Sequence, residues 1–104
     1  MGMNFKQAKS RADILKALAH PVRVLILDAL MEGERCVCEL NELATIHQSN
    51  ISRHLAILKK AGVVADRRDG MKVFYRILTP CIINAFNCAA EVTCTGVKHK
   101  KDKR

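Results

Sequence analysis

The sequence predicts a mainly helical domain carrying one small β-hairpin. Three observations predict it. Hydrophobic residues make up 49% of the chain and aromatics only 4%, so the core must come from Leu, Ile, Val and Ala, which suits packed helices better than a β-sandwich. Apolar residues recur at helical spacing through most of the first sixty positions or so. One stretch, "VVADRRDGMKVFYRI", switches to a period of two around Asp69-Gly70. At 104 residues the chain is long enough for one domain with a modest core, and short enough that dimerisation would help it bury surface.

Ala8, Ala12, Leu15 and Ala19 predict a first helix over about residues 6–19. His20-Pro21 interrupts it, and Pro suits the first position of a second helix because no N–H needs a partner there. That helix, "PVRVLILDALMEG", is expected to bury Val22, Leu25, Ile26, Ala29 and Leu30 and to stop at Gly33. Next, "CELNELA" repeats Leu40, Leu43 and Ala44, and "QSNISRHLAILKKAG" repeats Ile51, Leu55 and Leu58, with "TIHQ" between them. A short helix, a tight turn and a longer helix form the helix-turn-helix pattern. Gln48, Ser49 or Asn50 can cap the second of these helices, and Gly62 closes it.

Val63 and Val64 lead into a strand, Asp69-Gly70 supplies the turn, and Val73, Tyr75 and Ile77 alternate with Lys72, Phe74 and Arg76 on the return. A last helix is expected from "TPC", with Thr79 as cap and Pro80 in the first turn, to about residue 93. Its stripe of Leu78, Ile82, Phe86 and Ala89, with the first helix, is the expected dimer surface. The tail "VKHKKDKR" is almost without apolar residues, so the expectation is one folded domain over residues 1–96 and a disordered basic tail over 97–104. This order of elements is that of a homodimeric winged helix-turn-helix.

The formal charge is +8, which implies an acidic partner, and it is unevenly distributed. From Asp28 to Glu42 five acids face only Arg35, whereas from Gln48 to Arg76 seven Lys/Arg face only Asp66 and Asp69. The basic segment coincides with the second half of the helix-turn-helix and with the hairpin. Opposite the Ile51-Leu55-Leu58 stripe, that helix offers Gln48, Ser49, Asn50, Ser52, Arg53 and His54. Gln and Asn can pair with adenine, Arg with guanine, and Ser with bases or phosphate. Lys59 and Lys60 at its far end, and Arg67, Arg68 and Lys72 at the hairpin tip, suit the backbone or the minor groove. Double-stranded DNA is the expected partner.

No run approaches the ~18 apolar residues of a membrane span, and the first residues lack the apolar stretch of a signal peptide, so a cytoplasmic protein is expected. Thiols are kept reduced there, and five cysteines is an odd number, so a disulfide framework is the weaker reading and metal binding or redox sensing the stronger. Cys36 and Cys38 stand one residue apart in "ERCVCEL". In a helix they would diverge by about 200°, whereas on an extended segment they would share a face. Cys81, Cys88 and Cys94 lie toward the other end, and Cys81 is expected to be plain packing.

The chain resembles the ArsR/SmtB family of metal-responsive repressors over roughly residues 8–80. The likeness rests on "LKALAHPVRVLILDAL", "ERCVCEL", "QSNISRHLAILKKAGVV" and "RRDGMKVFYRI". In that family a homodimeric winged helix represses its operator until a metal or metalloid binds, and the Cys-Val-Cys motif before the recognition helix marks the arsenic-sensing version. The resemblance thus makes Cys36 and Cys38 ligands for As(III) or Sb(III), with Cd(II), Pb(II) or Zn(II) as other inducers. Asn41 stands where arsenic sensors often carry a third cysteine, residues 1–35 hold no cysteine, and the last helix lacks the Asp and His of the zinc sensors. "CAAEVTC" is similar to the C-terminal arsenic site of another branch, with Asn87 in place of one cysteine, which adds Cys88 and Cys94 as candidate ligands.

The mechanism expected is that joint capture of Cys36 and Cys38 unwinds or reorients the first turn of the helix at Glu39–Ala44, which braces the recognition helix. A coupling of about 2–3 kcal/mol would weaken operator affinity some 30- to 150-fold. Three rivals remain. A thiol-redox-sensing repressor would release DNA on oxidation without metal. A thiol-disulfide enzyme lacks the βαβ pattern such a fold needs. A structural zinc site would unfold with chelators.

Overall fold

A computed structural model describes residues 2–46, 50–82 and 84–92. The elements run α1 (Phe5–Leu18), α2 (Pro21–Leu30), β1 (Arg35–Cys36), α3 (Val37–Ile46), α4 (Ile51–Lys60), β2 (Val64–Asp69) and β3 (Lys72–Ile77). A short 3-10 turn (Pro80–Ile82) and a last helical segment over 84–92 follow. The helices with a hairpin are those the sequence predicts. The C-terminal tail 97–104 lies outside the described residues, and none of the described helices is long and apolar enough to cross a membrane.

Asn4 starts α1 through a reciprocal capping box: its side chain accepts the Gln7 N–H and the Gln7 side chain accepts the Asn4 N–H. Only the last turn of α1, Ala17 and Leu18, is buried. The predicted stripe does not enter the core, for Ala8 and Ala12 are exposed and Leu15 is 56% exposed. Helix α1 meets the body of the chain along α4, where Ile14 and Ala17 edge a groove with Ile57 and Ala61, while Phe5 and Leu15 face outward.

His20 caps α2 by accepting the Val22 N–H at Nδ1, with Pro21 in the first turn. Val22, Ile26, Leu27 and Leu30 are buried, so Leu27 takes the place expected of Leu25. The reason is that α2 packs on α3, α4 and β3 together, while Leu25 looks into a groove between α2 and α3 edged by Asp28, Glu32, Glu39 and Glu42. Ala29 is half-buried.

The chain then forms a strand the sequence reading missed. Two residues, Arg35 and Cys36, pair antiparallel with Tyr75 and Phe74, so the hairpin is part of a three-stranded sheet ordered β1-β3-β2. A two-residue strand carries no readable periodicity of its own. Helices α3 and α4 follow. Leu40 from the first and Ile51, Leu55 and Leu58 from the second join Leu18, Val22, Ile26, Leu27, Leu30, Val63 and Val64 in one core. Gly62, at a φ of 83°, ends α4 in the left-handed conformation that favours glycine, and Gly70 (φ 65°) makes the hairpin turn.

The last helix departs from expectation at its start. Thr79 accepts the Ile82 N–H in a 3-10 turn, and regular helix is described only over 84–92. Pro80 supplies no N–H of its own to this turn. Ile82 and Phe86 pack on the core, whereas Leu78 and Ala89 are exposed. Cys81 is exposed as well, contrary to the packing role expected of it.

Candidate nucleic-acid interface and cysteine site

Cys36 ends β1 and Cys38 sits in the first turn of α3, with their Cα atoms 5.2 Å apart and their sulfurs joined as a disulfide. Cys36 stands where an N-cap residue stands. Its sulfur accepts the Cys38 N–H, at the second helical position, at 3.2 Å, and Glu39 at the third reaches back to accept the Cys36 N–H at 3.0 Å, so two N–H groups at the start of the helix are satisfied locally. Because Cys36 is extended rather than helical, the two sulfurs meet while α3 stays intact. Reduced, the arrangement can supply two soft donors at one point.

The pair is asymmetric: Cys36 is buried and Cys38 exposed. Both line a cleft of about 550 Å³ that is also walled by Ser52 and Leu55 of α4 and by Arg68, Lys72 and Tyr75 of the hairpin. The cysteine site thus touches both elements expected to meet DNA. It does not gather a third ligand, since among the described residues no three Cys, His, Asp or Glu side chains cluster as a metal site. Cys88 is exposed on the last helical segment, and Cys94 lies outside the described residues.

The expected DNA-facing residues separate by what already engages them. Gln48 and Ser49 lie outside the described residues. Asn50 is the N-cap of α4, its Oδ1 accepting the Arg53 N–H, so that oxygen serves the helix. The side chains of Ser52, Arg53, Lys60, Arg68 and Lys72 are exposed with no hydrogen-bond or ion-pair partner among the described residues. Lys59 pairs with Asp66 across the gap from α4 to β2 at 3.1 Å. Arg67 is held by Glu34, Nε and one terminal nitrogen reaching the two carboxylate oxygens at 2.8 and 2.6 Å. This fork holds the Glu34 carboxyl below its ordinary range and raises the Arg67 guanidinium.

His54 is placed on the wrong face by the sequence reading. It is 7% exposed and points toward α2, where Arg23 Nε donates to its Nδ1 at 3.1 Å and the His20 ring lies 4.4 Å away between centroids. Arg23 also donates to the Ala17 carbonyl, so the cluster joins the end of α1, the start of α2 and the middle of α4. Burial lowers the His54 pKa, with the His20, Arg23 and Arg53 charges adding to the effect. Acceptance of the Arg23 N–H at Nδ1 fixes the neutral form. The signal that could have found this is position: His54 immediately precedes Leu55 and lies three residues after Ile51, on the edge of the apolar stripe.

The model of the bacterial regulatory protein, arsR family, matches residues 20–66. The biofilm growth-associated repressor of Xylella fastidiosa is 36% identical over 93 residues, which is 89% of this chain and 82% of that protein. The arsenic resistance transcriptional regulator ArsR1 of Pseudomonas putida is 46% identical over 65 residues, 62% of this chain and 51% of that one. Among solved structures, the homodimeric winged helix-turn-helix DNA-binding domain Mb0332 of Mycobacterium bovis superposes with a TM-score of 0.66 at 33% identity, covering 94% of each chain.

Proposed function

The chain belongs to the arsR family of bacterial regulatory proteins, and from that premise we propose that it is a homodimeric repressor whose operator affinity falls when As(III), Sb(III) or another soft metal binds the Cys36 and Cys38 thiolates. The family relatives compared with it are transcriptional regulators rather than enzymes. The single observation that carries the sensing part is the convergence of the two sulfurs at the N-terminus of α3, in a cleft shared with α4 and the hairpin. The donor chemistry fits a thiophilic ion, for which the two sulfurs are the natural first ligands. Cys88 and Cys94 are the candidates for a third sulfur, from either subunit.

The DNA surface of this reading is α4 with Ser52 and Arg53 toward the bases, together with Gln48 and Ser49 before it. Lys60, Arg68 and Lys72 serve the phosphates. The dimer surface is the uncovered apolar face of α1, Phe5 and Leu15, joined by Leu78 and Val92 near the last helical segment. Dimerisation sets two copies of α4 one helical turn of DNA apart, as this class of reader requires. Capture of an ion at Cys36 acts on the cap of α3 and on β1, and so on how α4 and the hairpin sit relative to each other.

Native mass spectrometry of the anaerobically reduced protein titrated with arsenite tests the site. One arsenic per subunit of a dimer, lost in Cys36→Ser/Cys38→Ser, is the expected result; binding that survives the double variant moves the site to the C-terminal cysteines. A second reading has its own observation, the disulfide between Cys36 and Cys38. In a thiol-redox repressor this bond is the sensing event, and diamide without metal releases DNA from the wild type but not from Cys36→Ser.

A further inference from the structure

Arg67 looks from the sequence like one more phosphate contact on a basic hairpin, but its surroundings assign it elsewhere. Two of its nitrogens are taken by Glu34 in a fork, the third lies 3.7 Å from Asp69, and the guanidinium plane stacks 4.7 Å above the Phe74 ring. Phe74 is the cross-strand partner of Arg67 on one side and of Cys36 on the other, so Cys36, Phe74 and Arg67 form a single rung across the three strands. Glu34, which grips the far end of this rung, immediately precedes β1. The side chains of Arg68 and Lys72, by contrast, have no hydrogen-bond or ion-pair partner among the described residues.

We propose that Arg67 is a positioning residue rather than a DNA contact. The Glu34–Arg67 fork pins the hairpin to the strand that carries Cys36, and so presents Arg68 and Lys72 to the phosphates. The fork closes the rung from outside: β1 offers only two residues of pairing to β3, and the charge pair extends that short attachment past its end. The fork spends two of the five guanidinium N–H donors on Glu34, Asp69 balances the charge from 3.7 Å, and the Phe74 ring lies under the group, so the side chain is held toward Glu34 and its charge is already neutralised before any phosphate approaches. The proposal rests on the DNA-binding reading above and goes beyond it by dividing the three cations at the hairpin tip into one that positions and two that touch.

The test is the salt dependence of binding to a mixed-sequence duplex, followed by fluorescence anisotropy with the full-length protein. Each phosphate contact contributes about 0.9 to the slope of log affinity against log salt. Arg68→Gln is expected to lower that slope by about 0.9. Arg67→Gln and Glu34→Gln are each expected to weaken binding about three- to tenfold with the wild-type slope retained, and the double variant to be no worse than either single one. A slope lowered by about 0.9 in Arg67→Gln would make Arg67 a phosphate contact and overturn the proposal. Tighter binding by Glu34→Gln would overturn it too, because Glu34 would then be competing with DNA, as would unchanged affinity in both variants. Failure of the wild type to bind any duplex overturns the DNA-binding reading itself, a result separable from the others. Matching helical circular dichroism in each variant establishes that these exposed substitutions leave the fold in place.

Discussion

His54 is the residue where burial and charge bear most directly on stability. Its folded pKa lies below the ordinary histidine value of 6.5, chiefly through burial. Between that lowered value and about 6.5 the unfolded chain binds more protons than the folded one, so stability rises with pH across this window. The contribution is complete above about 6.5 and is lost as pH falls toward the folded value. Denaturant melts from pH 7.5 down to about 5 should show this slope, and His54→Gln should flatten it; an identical pH slope in the variant would remove His54 as its source. Cys36 makes the opposite kind of prediction, since serine is a better cap than cysteine. Cys36→Ser should keep the melting temperature of the reduced wild type within a few degrees, so that loss of arsenite binding in that variant reports on ligation and not on folding.

Among the elements, α4 is a core helix to which the proposed function also gives the reading of DNA, and its two ends show how it is held. Asn50 holds the N-terminus through the Arg53 N–H, and Leu58 is fully buried near the other end. Asn50→Ala should cost about 1 kcal/mol and Leu58→Ala about 2–5 kcal/mol, measured by urea denaturation. Equal costs would mean that the cap, not the apolar stripe, fixes the helix. The stripe of Ile51, Leu55 and Leu58 was legible because it repeats over two turns, and the hairpin because Asp69-Gly70 sits between alternating residues. The short strand β1 was not, because two residues have no period. Its partner strand decides it, through the pairing of Cys36 with Phe74. That strand decides between the two geometries the sequence left open for the cysteines, and it brings them together across a strand end and a helix start. The misplacement of His54 has a similar origin, since a stripe edge is ambiguous until α2 is known to lie against it. Ion pairs such as Glu34 with Arg67, thirty-three residues apart, have no local signature at all.

At the scale of the whole molecule the chain is more extended than a self-contained domain of its length. Its radius of gyration is 16.1 Å, against about 13 Å for a compact hundred-residue domain. Helix α1 leaves apolar surface uncovered, with Phe5 81% exposed and Leu15 56% exposed. Leu15→Glu should shift the protein from dimer to monomer in sedimentation velocity and weaken duplex binding, because a single half-site loses its partner; a dimer that survives the charge would place the interface elsewhere. The central claim, that capture of a thiophilic ion by Cys36 and Cys38 releases DNA, is tested most directly by titrating arsenite into the reduced protein bound to an operator-containing duplex, with anisotropy as readout. The account predicts release that is complete near one arsenic per subunit, a loss of affinity of about 30- to 150-fold, and no release from Cys36→Ser/Cys38→Ser. Operator affinity that stays unchanged when arsenic saturates the protein would contradict it.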